Sequence, residues 1–268
     1  MTNIQNFFEV HDAKISELEY KFTEYWSGID KYSIRKWISQ FNEEHRGLAL
    51  KLLQKVDYYN QARVMRSSRA LHSQLMEIID ENLGNTYFAS FTPPGKSGDE
   101  ILPRYRLANR LRGSRFDEKF IYVSDLSKFA NQENLSFVFL DDFVGSGSQA
   151  LKIWQNIEGF LTKASDVFLM VMVGYTHGIE HIQRTTPLKV IANRFLSEGA
   201  KVFSEENRDF SQGEKEIIKS YCQLTGDSWP EGYGGCQSLI VFFHRVPNNT
   251  ISILRADTQT WKGLFPRF

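Results

Sequence analysis

Features that would narrow the class of protein at once are scarce in these 268 residues. There are two cysteines, Cys222 and Cys236, which are too few for a disulfide scaffold, so we expect both thiols to stay reduced. No apolar run approaches the ~20 residues that a membrane-spanning helix needs, and the chain does not start with a basic segment followed by an apolar one. We therefore expect a cytoplasmic protein without a membrane partner.

The chain also lacks an excess of either charge, because its 32 basic residues balance its 32 acidic ones and the net charge is zero. Without an excess of positive charge the whole chain creates no field that would concentrate nucleic acid around it. A local basic cluster remains, formed by Arg104, Arg106, Arg110, Arg112 and Arg115. The pattern by itself favours a solvated helix face over a binding surface.

The first part of the chain is predicted to be helical. Apolar residues recur there at helical spacing in three stripes. The stripes are Ile34, Trp37, Ile38 and Phe41, then Leu48, Leu52, Val56 and Tyr59, then Val64, Leu71, Leu75 and Ile78. We predict a helical N-terminal subdomain over residues 1–83, whose helices pack against the following domain or against a protein partner.

From Thr86 onward, apolar β-prone segments alternate with helical patterns. The segments are TYFASF, FIYVSDL, FVFLDDF, VFLMVMVGY, LKVIANRF and SLIVFF. This alternation predicts an α/β domain over residues 84–268, with a doubly wound and mostly parallel sheet.

One segment, FVFLDDFVGSGSQA, has the pattern of a binding site. The run Phe137–Leu140 predicts a strand that is buried on both faces, with Asp141 and Asp142 at its carboxyl end. Open α/β sheets bind ligands in the crevice at that end. The small residues Gly145, Ser146, Gly147 and Ser148 then lead into a helical pattern, and such a loop offers backbone N–H groups to a phosphate.

Two carboxylates would repel a phosphate in the adjacent loop. A ligand that carries both a phosphate and hydroxyl groups, such as a phosphorylated sugar, explains why the two features occur together. Its phosphate would lie in the Gly/Ser loop while its ribose hydroxyls donate to Asp141 and Asp142. Mg²⁺, held by these carboxylates or through water, would offset the crowded negative charge.

The segment LDDFVGSGS resembles the phosphoribosyl-pyrophosphate motif of type I phosphoribosyltransferases. The resemblance implies a sheet of phosphoribosyltransferase type, with Asp141 and Asp142 as the catalytic carboxylates, the loop Gly145–Ser148 as the 5′-phosphate site and Mg²⁺ as cofactor. Gly145 stands where the family usually has Thr or Asp, a departure that speaks against ordinary nucleobase salvage.

The segment FTPPGKSGD follows the strand TYFAS and supports two interpretations. In the family, a loop after an early strand wraps the pyrophosphate, and Lys96, Ser97 and Gly98 resemble that loop. Alternatively, Gly95, Lys96 and Ser97 end a degenerate P-loop of a nucleoside triphosphatase. Against the P-loop, Ser90 replaces its first glycine, Pro93 and Pro94 remove amide donors, and Pro103 is expected to interrupt the helix that should follow.

The segment YTHGIEH contains the spacing of an inverted zinc-peptidase motif, with His177, Glu180 and His181. Such a site needs an uninterrupted helix, and Gly178 lies between the ligands. We predict a strand-to-helix turn rather than a zinc centre.

The leader WISQF at residues 37–41 and the turn PNNT at residues 247–250 resemble phosphoribosyltransferase-like proteins of bacterial conflict systems, including effectors of antiviral retrons. This resemblance implies a toxic effector of an antiphage defence system that binds a phosphoribosyl-containing small molecule and transfers or cleaves at its anomeric carbon. It also implies a protein partner, within a complex that can contain nucleic acid. The alternative is a catalytically degenerate module that senses a nucleotide or binds a partner.

Overall fold

The computed structural model describes residues 3–80, 83–92 and 97–267. The chain divides into two compact units, Met1–Gln61 together with Glu198–Phe268, and Ala62–Ser197. We call them the split unit and the central unit. The domain boundaries that we predict from the sequence, 1–83 and 84–268, remain a prediction.

The α-helices are α1 (Asn3–Val10), α2 (Asp12–Phe22), α3 (Lys31–Ile38), α4 (Arg46–Lys55), α5 (Gln61–Ile78), α6 (Ser97–Ala108), α7 (Ser114–Asp117), α8 (Ser148–Ile157), α9 (Thr176–Thr185), α10 (Gln212–Leu224) and α11 (Ser252–Arg255). The strands are β1 (Asp57–Tyr59), β2 (Thr86–Ser90), β3 (Ser136–Val144), β4 (Asp166–Tyr175), β5 (Lys189–Ala192), β6 (Phe195–Leu196) and β7 (Ile240–Phe242). Short 3₁₀ helices cover Glu43–His45, Val123–Lys128, Glu158–Phe160, Glu198–Ala200 and Tyr233–Gly235. None of the helices in the described residues is long and apolar enough to cross a membrane.

The central unit is built on a parallel sheet. Its strand order is β2-β3-β4-β5, and β6 pairs with the end of β4. Every one of these pairs is parallel, with Thr86 beside Ser136 and Ser136 beside Asp166 at the start of the register. The predicted α/β fold with a mostly parallel sheet is therefore confirmed.

Helices cover this sheet with stripes that the sequence pattern predicts. On α8, Ala150, Trp154 and Ile157 are buried and lie at helical spacing. They join Phe137 and Phe139 of β3 in one apolar cluster. The strand is apolar on both faces because both are covered, as is usual for parallel sheets.

The predicted strand FIYVSDL is wrong for most of its length. Only Phe120 makes a bridge, to Phe88 of β2, and Val123–Lys128 is a 3₁₀ helix. The Phe88 N–H donates to the Lys119 carbonyl, and the Phe88 carbonyl accepts from the Ile121 N–H. The segment therefore contacts β2 around one residue and does not form a full strand.

The split unit joins helices from both ends of the chain around an aromatic core. Trp37 and Phe41 pack in one cluster with Tyr221 and Trp261. The unit also contains a second, two-stranded parallel sheet, in which β1 pairs with β7 and Asp57 lies beside Ile240.

This small sheet corrects two expectations. Helix α4 ends at Lys55, so Val56 and Tyr59 do not continue its stripe, and Asp57–Tyr59 forms a strand inside the segment predicted to be helical. The segment SLIVFF is a strand, but it pairs with β1 instead of extending the main sheet. Pairing between distant segments decides both outcomes, and helical periodicity cannot report it.

A nearly buried ion pair connects the C-terminal segments of the split unit. The guanidinium of Arg255 donates to both carboxylate oxygens of Asp227, at 2.7 and 2.9 Å. It also donates to the carbonyls of Thr250 and Trp229, so its charge is satisfied on several sides. The Arg255 side chain is only 4% exposed, so an uncompensated charge would be costly there.

We expect Asp227→Asn to lower the free energy of unfolding by about 3 kcal/mol, because Arg255 loses its counter-charge while it stays buried. Urea unfolding followed by tryptophan fluorescence measures the change. The matched control is Asp257→Asn, which breaks an exposed pair with Lys262 and is expected to cost less than ~1 kcal/mol. Equal losses in the two variants would contradict the assigned role of the buried pair.

Both cysteines are free and buried, and burial raises the pKa of the Cys222 thiol to about 12. Since the thiolate is the reactive form, we expect iodoacetamide to leave Cys222 unmodified in the folded protein near pH ~8.5, where an ordinary thiol is half ionised. The same treatment in denaturant should label it fully, as mass spectrometry would show. Fast labelling of the folded protein would contradict this expectation.

Candidate functional site

Both predicted catalytic carboxylates lie within β3. We expected the strand to end at Leu140, but it continues to Val144. The reason is that β4 runs on to Tyr175 and gives the extended strand a partner, with Phe143 beside Val173 and Val144 beside Gly174. Asp141 and Asp142 are therefore held by sheet pairing, close to the carboxyl end of the strand.

Consecutive residues of a strand point to opposite faces of the sheet. Asp141 follows the alternation of Phe137 and Phe139, and Asp142 follows that of Leu140. The two carboxylates are 6% and 4% exposed, and the Asp142 N–H donates to Asp141 Oδ1 at 2.9 Å. This contact fixes the Asp141 side chain in place at the edge of the sheet.

The Gly/Ser loop connects β3 to α8, as predicted. Gly147 has φ +83°, a left-handed conformation that favours glycine, and α8 begins directly after it at Ser148. The hydroxyl of Ser146 donates to that of Ser148 at 3.1 Å, and the Ser148 N–H points to Ser146 Oγ at 3.4 Å. Because glycine at the N-cap has no side chain to cap the helix, the first turn of α8 presents its N–H groups and two hydroxyls at one place.

The loop lies directly against the first turn of α9. A Cβ on Gly178 would be 1.9 Å from the carbonyl oxygen of Gly145, and one on Gly147 would be 2.7 Å from the carbonyl oxygen of Gly178. Neither position has space for a Cβ, so both Gly147 and Gly178 need to be glycine. The position of the predicted phosphate loop thus depends on a residue 30 positions further along the chain.

The segment YTHGIEH is a regular helix from Thr176, so the predicted interruption at Gly178 is wrong. Gly178 is buried against the loop, and it is there for close packing. Within the described residues no group of three or more His, Cys, Asp or Glu side chains could hold a metal ion.

The segment after β2 approaches β3 at the residue before the carboxylates. The Phe91 N–H donates to the Leu140 carbonyl at 2.9 Å, and the Gly98 N–H donates to Thr92 Oγ1 at 2.8 Å. A Cβ on Gly98 would lie 2.3 Å from Ser90 Oγ and 3.0 Å from the Leu140 oxygen. The start of α6 therefore lies against the backbone neighbour of Asp141.

Among the predicted pyrophosphate ligands, Gly98 thus lies beside the acidic strand. Ser97 is the first residue of α6, and its side chain is not among those described. Lys96 lies outside the described residues. Helix α6 continues through Pro103, so the expectation that this proline interrupts it is wrong.

Sequence reasoning missed the residues that hold the two loops in place. Thr92 accepts the Gly98 amide, and Gly178 lets α9 approach the Gly/Ser loop. Gly174 lets Ile179 of α9 pack closely against β4 and Val144. The only available signal was a pair of glycines in VGYTHG. It is a weak signal, because glycine has many structural uses.

Parallel strands bring the Gly/Ser loop, the two carboxylates and the start of α6 to one edge of the sheet. This arrangement defines a phosphoribosyltransferase-like α/β protein. A family model matches residues 34–267, and the chain belongs to the PRTase-CE family.

Solved structures that are similar to this chain include two phosphoribosyltransferases. The Helicobacter pylori xanthine-guanine-hypoxanthine phosphoribosyltransferase is 12% identical, with TM-score 0.35, over 52% of this chain and 83% of that one. The orotate phosphoribosyltransferase of Aeropyrum pernix is also 12% identical, with TM-score 0.26, over 47% of this chain and 71% of that one. The AQ2163 protein from Aquifex aeolicus is 10% identical, with TM-score 0.34, over 62% and 83% of the two chains. No curated protein sequence matches this chain.

We expect Gly178→Ala to displace the Gly/Ser loop, since the added methyl group would overlap the Gly145 carbonyl. Overpacking of this kind costs about 1–3 kcal/mol of stability, which thermal unfolding measures. Gly159→Ala in the same unit is the control, because nothing lies within 4 Å of its Cβ position. If both variants unfold at the wild-type temperature, the loop does not depend on this contact.

Proposed function

We propose that this protein binds a 5-phosphoribosyl donor, phosphoribosyl pyrophosphate or a related nucleotide, at the carboxyl edge of β2 and β3. The observation that carries the proposal is that two separate segments, the start of α6 and the Gly/Ser loop, both lie at the carboxyl end of β3. Gly98 lies against Leu140, and the Gly/Ser loop follows the same strand beyond Asp142. A ligand with a phosphate at one end and a pyrophosphate at the other fits such an arrangement.

Each part of the donor meets a suitable group. The N–H groups at the start of α8, with Ser146 and Ser148, would hold the 5′-phosphate. Asp141 and Asp142 would accept hydrogen bonds from the ribose hydroxyls and stabilise positive charge that develops at the anomeric carbon. The loop that contains Lys96, Ser97 and Gly98 would stabilise the departing pyrophosphate through backbone amides and one cation.

The carboxylates of Asp141 and Asp142 are also suitable ligands for Mg²⁺. This ion typically takes one or two protein carboxylates together with substrate phosphates and water, so Asp141 or Asp142, directly or through water, would supply the protein ligand. When bound, Mg²⁺ would neutralise charge on the leaving pyrophosphate. Both residues lie at the carboxyl end of one strand and are 6% and 4% exposed, so a cation bound there would be largely shielded from water.

We propose further that the protein is the toxic effector of a bacterial antiphage defence system, related to retron effectors, and that it acts in the cytoplasm with a protein partner. Membership of the PRTase-CE family supports the phosphoribosyltransferase-like part of this proposal. The chemistry would be glycosyl transfer or cleavage of an N-glycosidic bond. A catalytically degenerate module that senses the same ligand is the alternative.

The first test measures the thermal stability of the purified protein with phosphoribosyl pyrophosphate and Mg²⁺, with ATP and NAD in parallel. Ligand at about 100 times its Kd stabilises the folded state by ~2.7 kcal/mol, a shift that is easily measured. We expect this shift for the phosphoribosyl donor and its loss in Asp141→Asn/Asp142→Asn. The substitutions keep the shape of both side chains, so the variant is expected to fold.

Three other outcomes would overturn the proposal or refine it. A shift with ATP alone, abolished by Lys96→Ala, would support the P-loop interpretation. A shift with the donor but without any turnover would support the sensing module. No shift with any ligand would refute the donor site.

The effector role has its own test, which is growth of a bacterial culture that expresses the protein. Growth arrest on expression, relieved in the Asp141→Asn/Asp142→Asn variant, would support the effector role.

A further inference from the structure

The basic cluster noted in the sequence lies on the central unit, along α6 and the turn into α7. Residues 104–119 carry six basic side chains and only two acidic ones, within a chain of zero net charge. Arg69 of α5 reaches the same region, because its Nε donates to the carbonyl of Ala108 at the end of α6, at 3.3 Å. We call Arg69, Arg110, Arg112 and Arg115 the arginine surface.

The arginine surface is exposed and lacks counter-charges. All four side chains are exposed to solvent. Nearby, Arg104 pairs with Glu100, and Arg106 pairs with Asp117. Over residues 3–80, 83–92 and 97–267 no ion pair involves any member of the arginine surface. The segment's only other acidic side chain is Glu118, so positive charge accumulates here.

Neighbouring residues add positive charge to this region and fix its backbone. Burial, with the Arg115 guanidinium close by, lowers the pKa of Lys119, so like charges lie near one another. Arg106, which pairs with Asp117, stacks over the Phe120 ring at 4.8 Å and donates to the Leu111 carbonyl at 2.8 Å. These contacts fix the turn that carries Arg110 and Arg112.

The backbone of that turn is unusual. Arg110 has φ +56°, and the Arg112 N–H donates to the Arg110 carbonyl at 2.9 Å. The left-handed conformation is unfavourable for a residue with a Cβ. Glycine or asparagine is the ordinary residue at such a position, so folding does not require arginine there.

An exposed aromatic ring lies on the same stretch of chain. Tyr122 is 70% exposed, two residues beyond Phe120, whose ring contacts Arg106. Single-stranded nucleic acids are bound by this pairing of residue types, with cations on the phosphates and rings that stack on bases. Arginine suits phosphate better than lysine does, because its planar fork donates two parallel hydrogen bonds.

We propose that the arginine surface, with Tyr122, binds the phosphate backbone and an unstacked base of a single-stranded nucleic acid. This proposal does not rest on the donor site proposed above. It assigns a macromolecular ligand to a surface made by α5, the end of α6 and the turn into α7.

The test measures binding of a fluorescent mixed-sequence single strand, about 20 nucleotides long so that it exceeds a typical binding site. Anisotropy is recorded against salt for the wild-type chain and for Arg110→Gln/Arg112→Gln/Arg115→Gln. Each phosphate contact adds ~0.7 to the slope of log affinity against log salt, so the triple variant should lose about 2 from the slope and roughly 100-fold in affinity at ~0.1 M salt.

The control triple variant is Lys128→Gln/Lys163→Gln/Arg184→Gln, which removes three exposed cations from the same unit. It should bind like wild type. Tyr122→Ala should lose roughly tenfold in affinity with an unchanged salt slope, because stacking releases no counterions. Arg110→Gly should weaken binding while its unfolding temperature stays equal or rises, which separates binding from folding even if the triple variant is unstable.

Several outcomes would overturn the proposal. These are no binding by the wild-type chain, equal losses in the two triple variants, equally tight binding of polyglutamate, or binding of phosphatidylserine vesicles without binding of the oligonucleotide. The thermal shift by the phosphoribosyl donor should persist in the arginine variant. Loss of that shift in the Asp141/Asp142 variant alone keeps failure of the two proposals distinguishable.

Discussion

The parallel pairing of β3 between β2 and β4 is the constraint on which the rest of the central unit depends. Because parallel strands end at the same edge, the start of α6 and the Gly/Ser loop both lie there, although the residues that pair, such as Ser90 and Leu140, are 50 positions apart. The pairing with β4 also extends β3 through Asp141 and Asp142 to Val144. The carboxylates are thereby placed by sheet hydrogen bonds rather than by a loop, which gives them the rigidity that binding sites need.

Close backbone contact then fixes the loops at this edge. Gly98 lies against β3, and Gly178 lies against Gly145, with no space for a Cβ at either position. Each glycine gives up a side chain that could stabilise its own helix. The gain is a Gly/Ser loop supported by α9 and a start of α6 supported by the strand, so both are positioned before any ligand arrives. Preorganisation of this kind lowers the cost of ordering on binding.

Charge is arranged locally although the chain as a whole is neutral. Two buried carboxylates lie at the sheet edge, and exposed arginines collect on a turn after α6. Opposite charges in separate places suit the two ligands proposed above, a phosphoribosyl donor with Mg²⁺ at the sheet edge and a single-stranded nucleic acid at the arginine surface. In the split unit, by contrast, the buried Arg255 and Asp227 satisfy each other and serve its packing.

The sequence alone determined the α/β class, the acidic strand and the loop into α8, because these signals are local: apolar runs, adjacent carboxylates and small residues before a helical stripe. It misplaced SLIVFF in the main sheet and predicted helix at Asp57–Tyr59. Only the tertiary structure decided which strands pair, where β3 ends and why Gly178 is glycine. Those outcomes depend on contacts between residues far apart in the chain, which periodicity and composition do not encode.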